Sequence, residues 1–478
     1  MTTLPNGWRM VVGLEVHTEL KTATKLFCGC ANHFGSEPNT NICPVCLGLP
    51  GSMPVLNERA VDLAMAIGYA LNCRIQASTF HRKNYFYPDM PKDYQVSQYD
   101  LPINADGYLE LPDGSRVSIV RAHMEEDTGK TTHLGTSGRI HGADRSLVDY
   151  NRSGVPLVEI VSGPDIRSAA QARSYVAELR AILVAIGASD GRMEEGSLRV
   201  DANVSVHQPD TPFGTRCEIK NLNSLRSLQR AIDYEALRQI DVLESGGAIR
   251  QETRHWDEDR GETSTLRTKE EAEDYRYFLE PDLVGLAPDV SWQERVRQSM
   301  PPLPRQRRES LADLVNDVTE AQRDAIATVV DLDLDDYVLA VAEGRGDVVL
   351  ALARTANEIA ADLSHRANLT HDAFVRTVAM EASGALSATQ AKTVLKEILA
   401  AGGEPESIVR EKGFEQLSND TLGTTIDEVI AAHPDEWQRF LGGDDKVSQF
   451  FIGQVMKLTK GQANGKAVVA ELQSRRSS

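Results

Sequence analysis

Acids and histidines recur in this chain at the spacing of a β-strand. In "VVGLEVHTEL" period-two alternation sets Val12, Leu14 and Val16 on one face and Glu15, His17 and Glu19 on the other. "LRVDANVSV" repeats the pattern: Leu198, Val200, Ala202, Val204 and Val206 oppose Arg199, Asp201, Asn203 and Ser205, a polar face suited to a ligand. Two other segments carry an acid on the apolar side. Alternation through "VSIVRAHMEED" puts Glu126 with Val120, Ala122 and Met124 and leaves Glu125 and Asp127 to solvent, while "VPLVEIVS" sets Glu159 between Leu157 and Val161. A buried carboxylate must be protonated, paired or bound to a cation. Oxygen ligands with one imidazole form a hard, anionic donor set that suits Mg²⁺, and through it nucleotide phosphates, better than zinc.

Four of the six cysteines stand as "CGC", twelve residues, then "CPVC": Cys28, Cys30, Cys43 and Cys46. Paired knuckles of this kind can close a tetrahedral thiolate site around structural zinc with no position left open for catalysis; redox thiols or vestigial ligands are the alternative. In "FHRKNYFYPDMPKDYQ", Asn84, Tyr85, Phe86 and Tyr87 stand beside Arg82 and Lys83. They could stack on a base or cover a phosphate, with Lys83 the obvious cation, or equally be turn packing near Pro88. "EIKNLNS" adds Glu218 and Lys220 at strand spacing, and "DYRYFLEPD" adds Tyr275, Arg276 and Tyr277.

Elements must hold these residues in place. Up to about residue 295 the texture mixes strands with three helices: "NERAVDLAMAIGYAL", with Ala60, Ala64, Ile67, Gly68 and Leu71 on one stripe; "SAAQARSYVAELRAILVAIG", opened by Ser168 and closed by Gly187; and "SLRSLQRAIDYEALRQIDVLESGG", with a polar break at Gln239 and a stop at Gly246. After "MPPLPRQRRES" the sequence turns Ala-, Leu- and acid-rich and helical, with a second break in "AAGGEPES". Three domains are expected: 1–295, 296–405 and 406–478. A chain of 478 residues exceeds a single core.

A composition 41% hydrophobic and 25% charged is that of an ordinary soluble protein. No run approaches eighteen apolar residues and "MTTLPNGWRM" lacks the pattern of a signal peptide, so a cytoplasmic location without membrane contact is the default. A net charge of −19 argues against nucleic-acid binding over the whole surface. From Lys446 onward, however, six basic residues, among them Lys457 and Lys460, face one acid. That is a handle for RNA or a frayed basic terminus. "GKTT" lacks the first glycine of a phosphate-binding loop, where Met124 stands. There is also no amidase-like Gly/Ser stretch, so any ammonia must come from another chain.

"GLEVHTELKTATKLFCGC", "HMEEDTGK", "DYNRSGVPLVEIVSGPDI", "MEEGSLRVDANVSV", "EIKNLNS", "DYRYFLEPDL" and "FFIGQVMKLTKGQANGKAV" together resemble the B-subunit family of the tRNA-dependent amidotransferases, in order and over essentially the whole chain. The resemblance implies an α+β fold: a cradle-like N-terminal domain with a curved, largely antiparallel sheet, a helical domain and a small tRNA-contacting tail. It implies a heterotrimer with an amidase (A) subunit and a small (C) subunit. That assembly corrects misacylated tRNA by ATP-dependent phosphorylation of the Glu or Asp side chain, followed by capture of channelled ammonia. On the same basis His17, Glu126 and Glu159 would ligate one Mg²⁺, Glu15 and Asp201 a second, and Lys83 would stand near the channel mouth, with Lys83, Glu126 and Glu159 carrying the chemistry. Asn84, Tyr85, Tyr87, Arg199, Asn203, Glu218 and Lys220 are candidate nucleotide or substrate contacts, and Lys457 and Lys460 candidate tRNA contacts. The rival readings are a magnesium-dependent RNA hydrolase and a non-catalytic zinc-containing tRNA scaffold.

Overall fold

The computed structural model describes residues 4–135, 143–268, 275–414, 419–444, 446–459, 463 and 465–477. Alternation has become strand where it was clearest: Val12, Leu14, Val16, Val200, Ala202 and Val204 are all buried. The result is an α+β fold built on a 12-stranded sheet, and of its described pairings only Cys217–Leu222 with Glu252–Asp257 is parallel. Seven of its strands position the candidate residues: β1 (Arg9–Glu19), β2 (His81–Asn84), β3 (Tyr94–Ser97), β4 (Arg116–Glu126), β5 (Pro156–Ser162), β6 (Leu198–His207) and β7 (Cys217–Leu222). Their spatial order is β7-β6-β1-β5-β4-β3-β2.

Helices α1 (Glu58–Ala70), α2 (Ala169–Ala185) and α3 (Leu225–Glu244) bury their apolar stripes in the same core as the sheet. Each starts on a side chain that satisfies a free backbone N–H: Asn57 accepts from Arg59, Ser168 from Gln171 and Ser224 from Ser227. Gly187 and Gly246 follow α2 and α3 with φ of 67° and 80°, conformations that an L side chain resists. Gln239 is buried, and its amide donates to the Val204 carbonyl at 3.0 Å, pinning α3 to β6.

One expectation from alternation fails. A bulge between Ile119 and Arg121 shifts the register of β4 against β5, so Val120 is exposed while Ala122 and Met124 face the core. Glu125 and Asp127, expected in solvent, are 4% and 2% exposed. They are enclosed by the charged neighbours described below.

The chain separates into compact units at 303/304. Position 295 falls inside the helix Val290–Gln298, whose Val296 belongs to the first core. The prolines of "MPPLP", which have no N–H and resist helix, follow it. In the second unit every described regular element is helical, and its buried apolar residues fall into two groups, Leu311 to Ile408 and Leu422 to Leu472. Among the described residues no helix is long and apolar enough to cross a membrane.

Candidate active site

The register of β6, β1, β5 and β4 sets Arg199 opposite His17, His17 opposite Glu159, and Glu159 opposite His123, one row across the polar face of the sheet. A second row, two residues along, pairs Glu15 with Asp201. Directly opposed residues on one face touch. His17 Nε2 lies 3.4 Å from Glu159, and His123 Nε2 lies 3.7 Å from Glu159 and 3.9 Å from Glu125. Lys83 on β2 reaches Glu125 at 3.6 Å, and the Gln95 amide donates to Glu125 at 3.0 Å. At the other side Asn203 donates to Glu15 at 3.0 Å, and Lys220 pairs with Asp201 and, at 3.2 Å, with Glu218.

Burial governs the charges. Burial pushes the His17 imidazole towards the neutral form, but the hydrogen bond and charge of Glu159 outweigh it and raise its pKa. Burial likewise opposes ionisation of Glu159; the charges of His123, His17 and Lys83 overcome that and hold its carboxyl below the usual range. Glu15 is raised by burial and then by Glu159, Glu218 and Asp201. His123 is lowered by burial, against the pull of Glu159 and Glu125. An imidazole beside the inward carboxylates Glu125 and Glu159 is a donor set for a divalent cation. One ligand atom from each of His123, Glu125 and Glu159 lies within 4.8 Å of the others. His123 Nδ1 is buried with no partner among the described residues. These donors fit a divalent cation.

A second network adjoins the row. Asp127 receives Arg199 at 2.6 Å and stands 3.6 Å from Arg152. Beside it Glu19 is pushed up to about 8 by burial and by the charge and hydrogen bond of Asp127. A cleft of about 420 Å³ opens at this end, lined by Glu19, Lys21, Phe34, Lys130 and Arg152. Another of about 320 Å³ opens at the Glu15 end, lined by Leu14, Val161, Asn203, Phe213 and Arg216.

The remaining candidates are less close. Glu126 is buried on the opposite side of β4 from Glu125; it accepts from the Val96 N–H at 2.8 Å and pairs with Lys92, outside the row. Asn84 donates to the Tyr275 and Arg276 carbonyls and closes the end of β2. Tyr85 and Tyr87 stack on each other, ring centroids 5.7 Å apart. Lys457 is exposed at the end of helix Val447–Leu458, and Lys460 lies outside the described residues. The sequence pattern sent Glu125 and Asp127 to solvent and gave His123 and Arg121 no role in the site. Their signal was the i, i+2 spacing Arg121, His123, Glu125, legible as one face once the bulge is known.

The sulfurs of Cys28, Cys43 and Cys30 lie 3.6, 3.7 and 3.8 Å from that of Cys46. Four sulfurs at the zinc–sulfur distance of 2.3 Å in a tetrahedron are separated by about 3.8 Å. These four cysteines can hold a metal ion such as zinc. The Cys46 thiol is lowered to about 4 by its hydrogen bond from Cys28 and by the Lys25 charge.

Fold and site define a class: a mixed-sheet domain with a metal-competent polar face, followed by helical modules. The model of the GatB/GatE catalytic domain matches residues 10–294 and that of the GatB domain residues 336–475. The B subunit of the aspartyl/glutamyl-tRNA(Asn/Gln) amidotransferase of Frankia casuarinae is 48% identical over 472 residues, covering 96% of this chain and 94% of the relative. Proteins of the same name from Mycobacterium bovis and Carboxydothermus hydrogenoformans are 50% and 46% identical; each alignment covers 96% of this chain, with 92% and 97% of the relative. The chain belongs to the family of tRNA-dependent amidotransferase B subunits.

Proposed function

We propose that this chain activates the side-chain carboxylate of Glu-tRNA(Gln), Asp-tRNA(Asn) or both with ATP and converts it to the amide, as the names of its relatives suggest. A carboxylate oxygen attacks the γ-phosphorus, the bond to ADP breaks, and the acyl phosphate loses inorganic phosphate to an attacking ammonia, which sheds a proton. Ammonia comes from the amidase (A) subunit, with the small (C) subunit completing a heterotrimer. Phosphoryl transfer is catalysed chiefly by position and charge.

The observation that carries this reading is the row of His17, Glu159, His123 and Glu125 with Lys83 beside it. Mg²⁺ held there would supply neutralisation of the phosphoryl charge. The shared face makes Glu125, rather than Glu126, the partner of His17 and Glu159, with Glu15 and Asp201 available to a second ion. Asn203, Glu218 and Lys220 orient these acids, Arg199 holds Asp127, and Lys83 offers a fixed cation to the intermediate. One cleft lies by Glu19 at the end of β1 and the other by Glu15 and Asn203 of the second row; in this reading nucleotide and acceptor approach from these two sides. Zinc in the four-cysteine site is structural in this reading, Lys457 and Lys460 meet tRNA, and the cytoplasm is the workplace.

The test mixes the chain with its amidase and small partner subunits, ATP, Mg²⁺, glutamine and each mischarged tRNA. Amide should form on at least one of them, with ADP released in step, and both should be lost in a folded Glu159→Gln protein. Amidation that persists at the wild-type rate in Glu159→Gln would favour the scaffold reading.

A further inference from the structure

The side chain of Lys25 is fully buried, at 0% exposure, a costly place for a positive charge unless anions surround it. An ammonium has three protons, and this one has three acceptors: the Ser153 carbonyl at 2.7 Å, the Tyr150 carbonyl at 3.4 Å and Cys46 Sγ at 3.5 Å. Among the described residues no carboxylate stands within ion-pair distance of it. The counter-charge therefore has to come from sulfur. Four thiolates around one divalent zinc leave an excess of two negative charges, the kind of anion that an adjoining ammonium balances.

The other two acceptors belong to a single turn. Its backbone is tied on both sides, by the Leu26 N–H to the Gly154 carbonyl at 2.9 Å and by the Gly154 N–H to the Asp127 carbonyl at 2.9 Å. Gly154 has φ +85°, and a Cβ there would meet Lys25 Cδ at 3.6 Å, so the lysine stem lies along the turn. The same turn carries Arg152, which donates to the Thr128 and Gly129 carbonyls and faces Asp127. Lys25 thus stands between the cysteines and the charged network next to the row.

We propose that Lys25 is the counter-ion of the four-cysteine metal centre and couples its occupancy to the 150–154 turn, so that a filled centre holds Arg152 in place against Asp127. This rests on the zinc reading given above. Lys25 touches no reacting atom and is a positioning residue. Outer partners of metal ligands commonly govern metal affinity by about 10–100-fold.

Two measurements on the full-length chain test it: zinc transfer to a chromophoric chelator, and backbone hydrogen exchange at Ser153, Gly154 and Val155. Lys25→Met should release zinc about tenfold faster or more and should exchange faster at these amides while still loaded. Removing zinc from the wild type should speed the same amides, and removing it from Lys25→Met should add little further. The wild-type comparison needs no variant, so a Lys25→Met chain that fails to fold leaves the test standing. Zinc-loaded wild type whose turn exchanges no faster after zinc removal, or a folded Lys25→Met with wild-type release, overturns this proposal alone. A wild type that neither contains nor takes up zinc overturns the zinc reading and this proposal with it.

Discussion

Glu125 and Glu126 are adjacent in sequence and opposed in space, and the site turns on that difference. Glu125 shares the polar face with His123 and Glu159, whereas Glu126 is locked to Lys92 and the Val96 N–H. Glu125→Gln and Glu159→Gln are each expected to lower amidation by roughly 10²-fold or more, at least the upper end of what outer-shell partners of a metal cost, in chains that still fold. Glu126→Gln should instead lower stability by about 3 kcal/mol, because it leaves the buried Lys92 ammonium without its anion; a denaturant titration beside an activity assay separates the two effects. At this scale the sequence was legible where alternation ran unbroken, as at Glu15, His17 and Asp201, but Glu159, expected on an apolar side, stands in the polar row because Val158 and Ile160 supply the core face of β5. It was not legible across Ile119 to Arg121, because the residue that absorbs a bulge is chosen by the partner strands. The likeness to known motifs brought Glu126 into the ligand set; strand parity after the bulge favours its neighbour.

Helices were the easiest elements to read, since Ser168, Gly187 and Gly246 announce their ends by side-chain and backbone chemistry alone. The role of α3's polar positions was hidden. Gln239 looked like a flaw in a stripe, yet it and Glu235 form a buried polar seam to β6 and to Arg238, Arg254 and Thr263. Burial opposes ionisation of Glu235, but hydrogen bonds from Arg238 and Gln239 and the charges of Arg238 and Arg254 prevail, so its carboxyl sits below the usual value. A depressed carboxylate contributes stability that is complete above the unfolded pKa of about 4.3 and lost as pH falls through the folded one. The melting temperature of the wild type should therefore exceed that of Glu235→Gln near neutrality, and the gap should close as the pH drops below about 4. A gap independent of pH would contradict the assignment. Gly154→Ala, forced into φ +85°, should cost about 1–2 kcal/mol, measured by denaturant unfolding.

Across the whole molecule a net charge of −19 means that the proposed tRNA contact would rest on local cations. Exposed Lys457 gives one concrete expectation: in the complete complex Lys457→Ala should weaken tRNA binding modestly and reduce the slope of log affinity against log salt by about 1, read from filter binding at several salt concentrations. An unchanged slope would remove Lys457 from the interface. The change in texture after "MPPLP" was visible in sequence, while the unit boundary depended on where Val296 packs, which only a core decides. Function depends above all on whether the acids of β1, β4 and β5 share a divalent cation. Binding of Mn²⁺, a spectroscopic substitute for Mg²⁺, can be followed by electron paramagnetic resonance on the full-length chain with ATP present. Glu159→Gln and Glu125→Gln should lose the bound-ion signal, and Glu126→Gln should keep it. Equal binding by all three proteins and the wild type, or loss in Glu126→Gln alone, would contradict a shared cation on this face.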